Sequence, residues 1–309
     1  MTYSIVARDP DTGAMGVAVQ SHYFATGRVV TWAEAGVGAV ATQSFVEVGY
    51  GPRGLEAMRA GATAPIALER LLAEDPMPAV RQVAMLDSGG QVAVHTGARC
   101  IAMAGHRTDE QVSAQANMMA RATVWEAMVA AYRASAAPDL AGRLLDALDA
   151  AEAEGGDIRG RQSAALLVVD GERSDRPWEH RLVDLRVDDH PQPLAELRRL
   201  LERDRAVQLM ARTLDRVRSL SRLDGASPEV AEALAALEAA QRALGENREP
   251  TFWAAVVLAG AGRLDEARSR LREAAAGNPG WVELLTRLPA AGLIPRDDEL
   301  LGRLLGDGA

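Results

Sequence analysis

Residues 2–21, TYSIVARDPDTGAMGVAVQS, decide how the chain is read. Residues 3–8 are mostly apolar or β-branched, Asp9-Pro10-Asp11-Thr12-Gly13 supplies turn chemistry, and Gly16-Val17-Ala18-Val19-Gln20-Ser21 resumes the strand pattern. The stretch therefore predicts a β-hairpin. Working outward, residues 29–32 and 37–43, parted by Glu34-Ala35-Gly36, read as a second strand pair with almost no charge, as in a buried sheet. After Gly51-Pro52 a helical pattern puts Leu55 and Met58 on one face, and Thr63 with Pro65 opens another that carries Ile66, Leu68, Leu71 and Leu72. Strand patterns return at 81–87, at 91–96 beyond the Ser88-Gly89-Gly90 turn, at 100–104 and at 112–117, and are expected to build a second sheet. Helical patterns fill 119–135 and 140–154, then Gly155-Gly156-Asp157 breaks the chain before strands at 163–169 and 181–187. Because strands and helices come in blocks, the pattern predicts an α+β fold with stacked sheets over a doubly wound parallel one.

Beyond Pro193 the β-branched residues thin out and Ala, Leu, Glu and Arg dominate. The expected division is a first domain over 1–204, a helical linker over 205–228 and a small all-α domain over 229–309. Within the last, FWAAVVLAGAGRLDEARSRLREAAAGNP (252–279) sets Ala267, Leu271, Ala274 and Pro279 at tetratricopeptide-like offsets, one helical hairpin and too few for a solenoid.

Composition removes several functions. Of 309 residues, 34 are basic and 43 acidic, for a formal charge of −9, which argues against nucleic acid and anionic lipid as partners. Every basic residue is arginine, so a Schiff-base lysine, a catalytic lysine base and a phosphate-loop lysine are all excluded. A single cysteine, Cys100, rules out an internal disulfide or a CxxC metal knuckle. Arg8 and Asp9 interrupt the opening residues before an apolar signal region can form, and no run reaches membrane-spanning length, so a cytoplasmic location is expected, with no membrane partner.

Six ordered blocks carry a resemblance: the opening hairpin, GVGAVATQS (36–44), YGPRGLEAM (50–58), HTGARC (95–100), GGDIRGRQSAALLVV (155–169) and DLRVDDHPQP (184–193). Over about residues 2–202 they resemble the bacterial family DUF1028, a domain of unknown function. The resemblance implies an Ntn-hydrolase-like fold, a four-layer αββα sandwich. The segment from 251 to 304, with FWAAVVLAGAGRLDEA and WVELLTRLPAAGLIP, resembles the peptidoglycan-binding domain sometimes attached to that family. That resemblance points to a peptide or muropeptide as its ligand.

In Ntn hydrolases a Thr, Ser or Cys at the mature amino terminus attacks an amide carbonyl, its own α-amine, which titrates near ~7.7–8, serving as base. Removal of Met1 would put Thr2 in that position, whereas with Met1 retained Thr2 is a β-branched residue beginning a strand. Ser21, in register, falls near Thr2 and either orients the nucleophile or satisfies backbone. His22 beside it can serve acid–base chemistry or hold substrate, though a loop histidine is commonly only exposed. Gln43 and Asn117, at strand ends, are amides able to donate to an oxyanion or to tie down loops. In the glycine-rich turn, Asp157 can orient an amine and Arg159 can hold a substrate carboxylate, with Gln162 alongside, or Asp157 and Arg159 form an ion pair that fixes the turn. His95 and Cys100 make a weak thiol–imidazole pair, and a lone cysteine is usually a small hydrophobe. Asp188-Asp189-His190 lacks a second ligand cluster, so no metal and no cofactor are expected. Phe252, Trp253 and Trp281 stack on a ligand or close a small core. The expected activity is cleavage of an amide bond in a small molecule; the competing class is a non-catalytic binding or scaffold protein. A homodimer or higher homo-oligomer is expected in either case.

Overall fold

The first turn forms for the reason its sequence suggests. The Asp9 carboxylate accepts from the backbone N–H groups of Asp11 (2.9 Å) and Thr12 (3.3 Å), and Gly13 takes φ 75°, which returns the chain tightly. The computed structural model of the chain describes residues 2–220, 223–291 and 298–305. The chain divides into two compact units, with the boundary between Leu201 and Glu202.

In the first unit the chain runs β1 (Thr2–Arg8), β2 (Met15–Ser21), α1 (Gly27–Val30), β3 (Thr31–Glu34), β4 (Gly38–Ser44), α2 (Tyr50–Arg59), α3 (Ala64–Glu74), β5 (Arg81–Asp87) and β6 (Val92–Thr96). It continues with β7 (Gly105–Asp109), β8 (Val112–Asn117), α4 (Val124–Ala134), α5 (Leu140–Ala153), β9 (Ser163–Val169), β10 (Arg181–Val187) and the start of α6 (Pro193–Ser219). Two antiparallel sheets result: six strands in the order β10-β9-β2-β1-β8-β7, and four in the order β3-β4-β5-β6.

Alternation along each strand produces three apolar layers. Tyr3, Ile5, Ala18, Ala114 and Leu166 face α4 and α5, meeting Met128, Leu144 and Leu148. Val6, Val17, Val19, Leu167 and Val169 face the smaller sheet, meeting Ala39, Ala41, Ala84 and Leu86. Val40, Val83 and Met85 face α2 and α3, meeting Leu55, Met58, Leu68 and Leu71. The order is helices, large sheet, small sheet, helices.

Several expectations need correction. Residues 112–117 are a strand, but β8 joins the first hairpin's sheet by pairing with β1 (Thr2↔Asn117, Ile5↔Ala114), while β3 and β4 join β5 and β6. Residues 100–104 are loop; the strand there is β7, GHRTD, an exposed edge whose charge hides its strand pattern. Residues 29–30 close a single helical turn, so the third strand begins at Thr31. The helix expected from 119 starts at Val124, since Met119 pairs with Asp157 through an isolated bridge and Met118 takes φ 57°.

The second unit holds the remainder of α6, then α7 (Pro228–Leu244), α8 (Glu249–Gly260), α9 (Leu264–Ala275), α10 (Gly280–Arg287) and α11 (Asp298–Leu305). The expected linker at 205 begins inside α6, whose Ala206, Met210 and Leu214 pack with Val230, Leu237 and Leu244 of α7. Phe252 is fully buried, with ring centroids 5.3 Å from Trp253 and 5.1 Å from Trp281, so of the two readings of these aromatics the structure displays the core one. No helix of the described residues is long and apolar enough to cross a membrane.

Candidate active site

One end of the space between the sheets is polar. The starts of β1, β5 and β9 meet the ends of β2, β4, β6 and β8 there, through the pairings Thr2↔Asn117, Ser21↔Ser163, Gln43↔Gln82 and Gln82↔Thr96. Alternation that puts Val6 and Val17 between the sheets also puts Thr2, Ser4 and Ser21 there, nearer this end along the same strands.

Thr2 is 4% exposed, and its hydroxyl donates to Ser21 Oγ at 3.0 Å. Its carbonyl accepts from Gln43 Nε2 (3.2 Å) and Asn117 Nδ2 (3.4 Å), and both amides also donate to Gln82 Oε1, at 2.8 and 2.9 Å. Gln82 Nε2 in turn faces Thr96 Oγ1, the Gly105 carbonyl and the Ala116 carbonyl at 2.9–3.1 Å. Deeper in, Ser4 Oγ donates to Gln43 Oε1 (2.7 Å), and Gln115 Nε2 donates to Ser4 Oγ (2.6 Å). Burying this many amides is tolerable only because they satisfy one another, which also holds them rigidly. The donors of Gln43 and Asn117 are spent on Thr2 and Gln82, so these two position Thr2 and do not point free N–H groups at a developing oxyanion.

The glycine-rich turn closes one side. Gly155 (φ 105°) and Gly160 (φ 104°) take conformations that side chains rarely adopt. Asp157, 4% exposed, accepts from the backbone N–H of His22 (3.2 Å) and of Arg159 (2.9 Å), and its carboxylate pairs with the Arg159 guanidinium at 2.9 Å. The pair thus ties the turn to the end of β2. His22 Nδ1 lies 3.4 Å from the Arg161 carbonyl. Glu152 anchors the turn from α5, pairing with Arg161 and accepting from the buried Tyr3 hydroxyl at 2.6 Å. Burial, then the neighbouring Glu152 carboxylate, pushes the Tyr3 hydroxyl well above the ordinary phenol range.

Other expected residues lie apart. His95 pairs with Val83, so it faces the α2–α3 layer, and its Nε2 sits 2.8 Å from the Pro78 carbonyl. Cys100 Sγ donates to the Arg81 carbonyl at 3.3 Å, so the thiol and imidazole are not assembled as a pair. Gln162 reaches Asp189 at the surface (3.2 Å). Behind the site, Arg81 and Asp75 form a buried ion pair at 2.8 Å that also engages the Tyr50 hydroxyl and the Phe45 carbonyl. Hydrogen bonding from Arg81 holds the Asp75 carboxyl below the usual carboxylate range. Met1 lies outside the described residues.

Gln82, Gln115, Ser4 and Ser163 escaped the sequence reading. The available signal was a polar side chain recurring inside otherwise apolar strands, as in RQVAML (81–86) and VSAQAN (112–117). Backbone strain marks the same end: of the five non-glycine residues at positive φ among the described residues, Ala25, Ser44, Met103 and Met118 adjoin it, while Gln111 lies in the opposite hairpin turn. A cleft of about 470 Å³ bordered by Arg28, Trp32, Arg59 and Arg186 shares no residue with the Thr2 network.

No protein with a curated description matches the chain. A crystallised protein from Silicibacter pomeroyi, SPO2555, itself described under DUF1028, is similar at 32% identity and a TM-score of 0.58, over 65% of this chain and 88% of that one. Residues 2–197 match the model of DUF1028, a family of unknown function, and the chain belongs to that family.

Proposed function

We propose that the first unit is an Ntn-type amidohydrolase acting on a small-molecule amide, with Thr2 as nucleophile once Met1 is removed. The observation that carries this reading is the Thr2 network: a hydroxyl paired with Ser21 at the first position of β1, its carbonyl gripped by two buried amides, at the strained end of the sheet pair. The layer order of helices, two sheets and helices agrees with an Ntn-hydrolase-like sandwich. In this scheme the Thr2 α-amine takes the hydroxyl proton as Oγ bonds to the amide carbon. The proton then passes to the leaving amine as the C–N bond breaks, and water releases the acid from the resulting Thr2 ester. Ser21 orients Oγ, while Gln43, Asn117 and Gln82 hold the backbone of residue 2 in place.

The test is intact mass and amino-terminal sequencing of the purified protein, before and after an acylating probe, alongside Thr2→Ala. A chain beginning at Thr2, acylated there and unlabelled in Thr2→Ala, is the expected result. Retained Met1, or labelling indifferent to Thr2→Ala, overturns it.

A second reading, an Ntn-like fold retained for binding, draws on the commitment of the Gln43 and Asn117 donors, which leaves neither of these two amides free to stabilise an oxyanion. Under it the helical unit recognises a peptide, muropeptide or partner subunit. Calorimetric titration with muropeptides and light scattering for oligomeric state test that role directly.

A further inference from the structure

The loops at the Thr2 end carry an unusual share of exposed apolar side chains. Tyr23 and Phe24 follow the end of β2, Phe45 follows β4, Ile101 and Met103 precede β7, and Ile158 caps the glycine-rich turn, with exposures from 44% (Ile101) to 68% (Ile158). Such residues are normal on a surface when scattered; carried on loops that share one end of the sheet pair, they mark a contact site.

These loops are laced to one another and to the polar floor. The Tyr23 carbonyl accepts from Ser163 Oγ at 2.5 Å, and that oxygen accepts from the Thr26 N–H at 3.1 Å. The Phe45 carbonyl accepts from Arg81 Nη1 at 2.7 Å. The Ile101 and Met103 carbonyls accept from the N–H groups of Met118 and Met119, at 3.3 and 3.2 Å, directly after Asn117. The Ile158 N–H donates to the Met118 carbonyl at 3.2 Å. Four of the seven strands that meet at this end, β2, β4, β6 and β9, thus border a loop presenting an exposed apolar side chain, and hydrogen bonds tie the backbone of those loops to the site.

We infer that this rim selects the substrate: the site takes amides whose acyl part is a long aliphatic or aromatic group, the carbonyl reaching Thr2 and the apolar group lying against Tyr23, Phe45, Ile101 and Ile158. The inference rests on the Thr2 reading for its chemistry and on the rim for its specificity. An apolar group on the acyl side adds binding with each methylene covered, whereas a short polar acyl group leaves the rim in water.

The experiment compares 4-nitrophenyl acetate with 4-nitrophenyl octanoate on the full chain. Each forms a Thr2 acyl ester as Oγ bonds to the carbonyl carbon, 4-nitrophenolate departs and the hydroxyl proton passes to the α-amine; intact mass follows the adduct. A parallel arm measures binding of acetamide and octanamide to Thr2→Ala, which does not need the nucleophile. Both arms are repeated on the exposed-residue variant Tyr23→Ser/Phe45→Ser/Ile101→Ser, with thermal unfolding as a check that it folds. Octanoylation at least about tenfold faster than acetylation, with the ratio falling toward one in the variant, is the expected result. Equal rates overturn the rim and leave the Thr2 reading standing. No adduct from either ester, with octanamide still preferred in a rim-dependent way, keeps the apolar site and removes the amidase. No adduct and no chain-length preference in binding removes both. Concentration-dependent self-association lost in the variant, with no chain-length effect, overturns the inference in favour of a second copy of the chain as the rim's occupant.

Discussion

Between the two sheets lie two halves of one layer, built on the same strands and differing only in position along them. At the far end Val6, Val17, Val169, Ala39 and Leu86 meet through apolar side chains. At the near end Thr2, Ser4, Ser21, Gln43, Gln82, Gln115 and Asn117 meet with their polar atoms hydrogen-bonded. The apolar half is non-directional, so it holds the sheets together but specifies little. The polar half is directional and costly if mispaired, so it specifies where the first residue of β1 sits. A fold that needed only stability would have continued the apolar half.

The largest effect should come from the ion pair backing the polar end. Asp75→Asn leaves the Arg81 guanidinium buried without its counter-charge and is expected to cost about 3–5 kcal/mol in urea unfolding at pH 7. Because the folded-state pKa of Asp75 lies below the unfolded one, its contribution is complete above the unfolded value near ~3.9 and is lost as pH falls through the lowered folded value. The gap between wild type and Asp75→Asn should therefore begin to narrow as pH falls below about 4 and go on narrowing through the lowered folded value; a gap independent of pH would place the effect in packing.

Leu86→Ala probes the apolar half, where lost transfer energy plus a cavity predicts about 3 kcal/mol. Gln82→Leu probes the polar half and should cost about 2–3 kcal/mol, since it strips the shared acceptor from Gln43 and Asn117. The two halves separate in a double-mutant cycle: Gln43→Leu with Gln82→Leu should fall short of the summed single losses by about 1 kcal/mol or more, because each removes the other's partner. Additivity there would mean the network acts as independent bonds. Smallest is Ser4→Ala, expected near about 1 kcal/mol; it sits at the seam between the halves, and a larger loss would shift the polar half deeper.

Much of the fold was legible. Strands 163–169 and 181–187 and the first hairpin follow from alternation and turn residues acting within a few positions. The exposed strand at 105–109 was not, because an edge strand with charge on it lacks the alternation that signals burial. Within the site, Thr2, Ser21, Gln43 and Asn117 were legible as polar residues at strand ends, yet the roles of the amides were not. Whether Asn117 Nδ2 is free or spent depends on Gln82, 35 positions away, and on register across two sheets.

By itself, then, the sequence determined the family, most of the strands and helices through residue 201 but not α1 or β7, and the all-arginine cationic chemistry, because each is written in neighbouring residues. Tertiary structure alone decided which sheet β8 joins, that Gln82 and Gln115 belong with Thr2, that His95 and Cys100 do not, and that the apolar loops share one end. Those outcomes depend on pairing between segments distant in the chain, where a shift of one residue would turn every side chain to the opposite face.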